Sequence, residues 1–203
     1  MAKKPNLIFI CSDQQRQDTM ACYGNDWIKT PNLNALALRS FVFKNAYVAQ
    51  PVCTPSRACI MTGLYPHTAG PVLNGIALSE DTQVIAEMLS SDYLCGYFGK
   101  WHLGNGDTPQ HGFTTWVSTE DGYAGRFVRG GPLSHRSNYH QHLVDSGFTP
   151  DRKMGEIDTF SQDKLKTYPE EFQMPLYLGD RAAEFIEENK DKPFVMYISC
   201  VEP

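Results

Sequence analysis

No run of apolar residues in this 203-residue chain approaches the length of a membrane span, and the stretch behind Met1-Ala2-Lys3-Lys4 is too short for a leader peptide. No membrane partner is therefore expected. Basic residues are also scarce: 18 Lys and Arg against 23 Asp and Glu give a formal net charge of −5, which offers no electrostatic footprint for nucleic acid. Six cysteines without clustered spacing fit a reducing compartment better than a disulfide framework. These absences predict a cytoplasmic protein, or an exported one if a leader has been removed. With 41% hydrophobic residues, the chain can build a single core of respectable size.

What is present alternates between strand-like and helix-like patterns. Leu7-Ile8-Phe9-Ile10-Cys11 is a short, partly β-branched apolar run that predicts a buried strand, and Ser12-Asp13-Gln14 at its end would place a carboxylate at the strand's C-terminal edge. Thr30-Pro31 reads as a helix start with Leu33, Leu36 and Ala37 on one face, and Phe41 to Val48 carries strand-type residues. Ser79 or Asp81 opens a predicted helix with Val84, Ile85, Met88 and Leu89 as its stripe. Leu178, Ala182, Phe185 and Ile186 form another; Pro193 stops it, and Phe194 to Cys200 predicts a second long apolar strand. Such alternation implies an α/β fold with a mostly parallel sheet and helices on both faces. The stretch from about 105 to 175 is less regular and holds His111, His135, His140 and His142. The last three lack the Cys or acidic pattern of a metal cluster, so an exposed loop is expected.

The richest segment is Pro51-Val52-Cys53-Thr54-Pro55-Ser56-Arg57-Ala58-Cys59-Ile60-Met61-Thr62-Gly63. Pro55 suits the first turn of a helix and Thr54 its cap, which would set Cys53 beside unpaired backbone N–H groups at the positive end of the dipole. Arg57, about one turn further on, could return its guanidinium to the same anion. That geometry suits a tetrahedral oxyanion such as a sulfate or phosphate ester. Three readings of Cys53 remain open. A thiolate phosphatase loop needs a longer wrap before its arginine; a buried structural cysteine is inert; a precursor cysteine is oxidised after synthesis to a different nucleophile.

The run resembles the signature of the sulfatase family, Cys-x-Pro-x-Arg followed by an apolar pair and Thr-Gly, matched here by Cys53, Pro55, Arg57, Ile60-Met61 and Thr62-Gly63. The resemblance implies that a maturation enzyme oxidises Cys53 to formylglycine. The hydrated aldehyde attacks sulfur, and its second hydroxyl expels sulfate, a cycle that a thiol could not complete. Gly99-Lys100-Trp101-His102-Leu103-Gly104 resembles the second family signature, in which Lys100 would contact the sulfate and His102 lie near the nucleophile and the leaving oxygen. Upstream of it Asp92, Cys95 and Phe98 depart from the pattern, while Tyr93 agrees. The family places metal-binding acids after the first strand: Asp13 matches, and Gln14 stands where a second Asp is usual. An amide oxygen still binds a hard cation but adds no charge.

The resemblance implies an alkaline-phosphatase-like α/β/α sandwich, with residues 1–203 as the N-terminal part of a catalytic domain and residues 105–175 as an irregular insertion. The C-terminal half and a small C-terminal domain of the family lie outside the sequence. It further implies sulfate-ester hydrolysis, with Cys53, Arg57, Lys100 and His102 as catalytic residues. Asp13, Gln14 and the modified Cys53 would hold a divalent cation, Ca²⁺ first with Mg²⁺ or Mn²⁺ as alternatives. Partners would be a small-molecule sulfate ester and the formylglycine-generating enzyme. The alternatives are a phosphonate monoester or phosphodiester hydrolase of the same superfamily, or a non-catalytic fragment.

Overall fold

The computed structural model describes residues 4–121, 136–154 and 157–203. Four strands, β1 (Leu7–Cys11), β2 (Leu94–Gly99), β3 (Thr115–Ser118) and β6 (Phe194–Ser199), form one wholly parallel sheet in the order β1-β6-β2-β3. A separate antiparallel pair joins β4 (Asp151–Met154) to β5 (Ile157–Phe160). The helices are α1 (Pro31–Ala37), α2 (Cys53–Thr62), α3 (Pro66–Ala69), α4 (Asn138–Asp145), α5 (Gln162–Leu165) and α6 (Met174–Asn189).

Side chains in β2 and β6 alternate between two cores because successive residues of a strand face opposite ways. Cys95, Tyr97, Val195 and Tyr197 join a cluster with Ala58 and Met61 of α2, together with Trp101, Phe113 and Trp116. Phe98, Phe194 and Met196 join a second with Tyr139 and Leu143 of α4 and Leu178, Ala182 and Phe185 of α6. β2 and β6 are thus sandwiched between two helical layers, as central strands of a parallel sheet require. The first cluster holds an aromatic stack in which Tyr97 lies over Tyr197 at 5.3 Å and Trp116 at 4.7 Å between ring centroids.

Several expected elements differ. β1 is a strand, but among the described strands it lies at the edge beside β6, and its Leu7, Ile8, Phe9 and Ile10 are exposed and not buried as expected. Phe41 to Val48 forms no strand: no described strand pairs with it, and an alternating pattern without a ladder leaves Phe41, Phe43 and Tyr47 in solvent. In α1, Leu33 and Leu36 are likewise exposed. The helix expected from Ser79 or Asp81 shrinks to a single 3₁₀ turn at Ile85–Met88, where Glu87 Oε2 accepts the Val84 N–H at 2.9 Å and closes the turn locally. The expected α6 and β6 are present. The irregular stretch from 105 to 175 contributes β3 to the main sheet, together with α4, α5 and the β4-β5 pair.

Gly99 ends β2 in a conformation that fixes the path of the chain beyond it. Its φ is 108°, and a Cβ there would lie 1.9 Å from the carbonyl oxygen of Ser199 on β6. The next amide, Lys100 N–H, donates to that same carbonyl at 2.9 Å. No L side chain fits between the two strands at this point. Gly99→Ala is therefore expected to cost roughly 2 kcal/mol or more, lowering the thermal midpoint by about 4–8 °C. Circular dichroism melts of the two proteins check it, and an unchanged midpoint would show that the strand ends part freely.

Candidate active site

Register brings the site together. Cys11, Ser199, Gly99 and Ser118 pair across the four strands at their C-terminal ends, so they form one row along the edge where open α/β sheets bind ligands. Just beyond that row stand Asp13 after β1, Lys100 and His102 after β2, and Glu120 after β3. Helix α2 is fastened to the same edge. Thr54 Oγ1 donates to the His102 carbonyl at 3.0 Å, and Arg57 Nη1 donates to the Lys100 carbonyl at 2.9 Å and to Ser199 Oγ. Two of the long-range bonds of the helix thus land on the Lys100–His102 turn.

Charge converges at that junction. Lys100 Nζ is hydrogen-bonded to Asp13 Oδ2, and Arg57 Nη2 lies 3.8 Å from the same oxygen. Arg57 and Lys100 are buried, and the Asp13 side chain is 12% exposed. Burial disfavours the charge of Arg57, yet its ionisable neighbours, the Asp13 carboxylate among them, outweigh that penalty and hold its pKa above the usual value. Tyr97, whose hydroxyl donates to the Lys100 carbonyl, has its own pKa pushed up by desolvation. It therefore stays a neutral donor to that carbonyl.

Cys53 is the first residue of α2 and is partly exposed. The expected cap is corrected: Val52 occupies the N-cap position without a side-chain bond, and Thr54 lies inside the helix with its hydroxyl committed to His102. Asn74 takes over the capping from another loop. Its Oδ1 accepts the Thr54 N–H at 2.9 Å and its Nδ2 lies 3.4 Å from Cys53 Sγ. A first-turn N–H is satisfied either way, but the donor beside the thiol now comes from a distant segment.

His102 is buried in a left-handed backbone conformation, φ 56°, which costs a residue with a Cβ roughly 1–3 kcal/mol. Glu120 offsets that cost with two bonds to the backbone and one to the ring: Oε2 accepts the N–H groups of Trp101 and His102 at 2.8 Å each, and Oε1 lies 3.0 Å from His102 Nδ1. Gln14 is also left-handed, φ 57°, and its side chain is exposed.

The carboxylate of Asp13 and the amide of Gln14 are hard oxygen donors suited to a divalent cation. With residue 53 they still fall short of the roughly six or more ligands such a cation takes. Among the described residues no group of three or more His, Cys, Asp and Glu gathers to hold an ion. The donor chemistry fits, as part of a shell. The other histidines have structural partners: His111 lies 3.5 Å from Glu87 and against Trp101, His140 Nε2 meets Asp151 at 3.0 Å, and His142 packs on Tyr177. His135 lies outside the described residues.

Asn74, Glu120, Ser199 and Tyr97 complete the surroundings of the predicted residues, and the motifs did not reveal them. Glu120 carries the same signal as Asp13, since an acid follows the strand-type run Thr115-Trp116-Val117-Ser118. Asn74-Gly75 reads only as a turn, and its reach to Cys53 is a property of the fold.

The family profile described as Sulfatase matches residues 5–203. Arylsulfatase A of Homo sapiens is 30% identical over 216 aligned residues, which cover 97% of this chain and 41% of that protein. A solved structure described as BT4656 in complex with its substrate D-glucosamine-2-N,6-O-disulfate superposes with a TM-score of 0.63 at 27% identity, covering 98% of this chain and 34% of that one. The phosphonate monoester hydrolase of Silicibacter pomeroyi gives a TM-score of 0.68 at 22% identity over 98% of this chain and 41% of the other, which shows a shared fold. The chain spans about two fifths of the length of curated relatives such as these. Its fold is that of the alkaline-phosphatase-like α/β proteins, and with its profile match across nearly the whole sequence the chain belongs to the sulfatase family.

Proposed function

We propose that this protein hydrolyses sulfate esters, with residue 53 as the nucleophile after oxidation of its thiol to formylglycine by a maturation enzyme. The observation that carries the reading is the convergence of Arg57 and Lys100 at Asp13, on the edge to which the helix beginning at Cys53 is tethered. Two cations beside a helix N-terminus suit a tetrahedral dianionic or monoanionic ester group. The likeness to arylsulfatase A and to a structure solved with a sulfated glucosamine supports a sulfate ester as the ligand class.

Formylglycine supplies, when hydrated, one hydroxyl to attack sulfur and a second to expel sulfate. This chain's own residues bind and orient. Arg57 presents a planar fork whose position is set by the Lys100 carbonyl and Ser199 Oγ, and Lys100 presents a compact ammonium. Both would neutralise charge that builds on the sulfate oxygens in the transition state. Asn74, already donating toward residue 53, would steady the nucleophile's hydroxyl. His102 would exchange a proton with the leaving oxygen. Asp13 and Gln14 would hold a divalent cation, Ca²⁺ in the first instance, whose charge polarises the ester oxygens.

Three outcomes are expected. Produced together with a formylglycine-generating enzyme, its peptide containing Cys53 should show in mass spectrometry the loss that accompanies conversion of a thiol to an aldehyde; an unaltered thiol throughout would remove the nucleophile. Matured protein should turn over an aryl sulfate faster than an aryl phosphodiester, and Lys100→Ala should lower kcat/KM for the sulfate by about 10² to 10³. A preference for the phosphodiester would transfer the reading to the phosphonate monoester hydrolases of the same fold.

A further inference from the structure

Glu120 sits two residues past the end of β3 and reaches across to the turn beyond β2. Its side chain is 9% exposed. The division of labour between its two oxygens is informative. Both backbone N–H groups, from Trp101 and His102, go to Oε2 at 2.8 Å, while Oε1 alone faces His102 Nδ1 at 3.0 Å. Gly106 lies behind the carboxylate: a Cβ there would come within 2.6 Å of Oε2, so the chain leaves room for the acid and little more.

An ionised carboxylate only accepts hydrogen bonds, so the imidazole nitrogen facing Oε1 must be the one that carries the proton. We propose that Glu120 is a positioning residue that fixes His102 as the Nδ1–H tautomer, so that proton exchange with a bound ester runs through Nε2. The inference rests on the sulfate-ester reading for its last clause, while the tautomer assignment stands on the Glu120 geometry. The same side chain holds the left-handed turn at His102, so removing it outright would confuse tautomer with folding.

Glu120→Gln separates the two roles. The amide oxygen can replace Oε2 and keep both backbone bonds, and the amide nitrogen then replaces Oε1 and donates to Nδ1. That forces the ring into the Nε2–H form with the turn intact. Long-range ¹H–¹⁵N spectra of the intact, histidine-labelled protein read the tautomer directly, with the His102 signals assigned by their loss in His102→Gln. The expected result is Nδ1–H in the wild type and Nε2–H in Glu120→Gln, with kcat for an aryl sulfate about 10²- to 10⁴-fold lower. KM and the melting midpoint should change little, unlike in Glu120→Ala.

An Nε2–H signal in the wild type overturns the proposal whatever the variants do. So does a Glu120→Gln protein that shows the switched tautomer at wild-type kcat. If Glu120→Gln does not fold, the wild-type spectrum still decides, and Gly106→Ala, which crowds the carboxylate, should perturb the Nδ1–H signal. A wild type with the Nδ1–H signal but no turnover of sulfate esters supports the tautomer assignment and sinks the sulfate-ester reading.

Discussion

The peptide group of Lys100 is the joint on which the site depends. Its N–H is donated to Ser199 on β6, its carbonyl accepts from Arg57 on α2 and from Tyr97 on β2, and its ammonium bonds Asp13 behind β1. Three strands and a helix are therefore held in mutual register by one residue. Gly99 makes this possible, since only a residue without a Cβ can let the chain turn so close to the Ser199 carbonyl. The chemistry and the fold share the same bonds, and the buried cations cannot be moved without disturbing the strand ends.

Burial gives that joint its electrostatic character. A guanidinium in an apolar setting is costly unless hydrogen-bonded and faced by negative charge. Arg57 has both, through the Lys100 carbonyl, Ser199 Oγ and the nearby Asp13 carboxylate. The phenols of Tyr97 and Tyr197, driven by desolvation to stay neutral, wall the cluster off on the core side.

Local chemistry was legible in the sequence; reach across the fold was not. Cys53, Pro55 and Arg57 declare a helix start, Asp13 announces itself by its place after an apolar, strand-type run, and Lys100 and His102 were legible through the resemblance of Gly99 to Gly104 to a family signature. The parallel sheet between helices was legible from the alternation that includes β1, α6 and β6, whereas β2 and β3, which join that sheet, were not read from the sequence. Asn74 acts 21 residues from Cys53 and Glu120 18 residues from His102; Glu120 has the local mark of an acid after a strand-type run, but which group each one reaches is set by the fold. Thr54 misled for a related reason. A threonine before a proline is a good cap in isolation, but here the hydroxyl has a better-placed acceptor in the His102 carbonyl, and the helix begins two residues earlier. Phe41 to Val48 misled because β-propensity describes a surface that fits a sheet and cannot supply the neighbouring strand.

The distribution of burial sets the weak point of the arrangement. Lys100, His102 and Arg57 rise from or rest on β2 and β6, which are flanked on both sides and packed on both faces. Asp13 lies beyond β1, which has one neighbour among the described strands and exposed side chains, and it is tied back by its N–H to Glu202 at 3.2 Å and by Cys200 N–H to Cys11 at 2.8 Å. Local opening is easiest where few apolar contacts must break. The carboxylate that meets both cations thus stands on the least secured strand of the sheet. Its bond to Lys100 works in two directions: it supplies the ammonium with a counter-charge, and it pins the end of β1 to the better-packed interior.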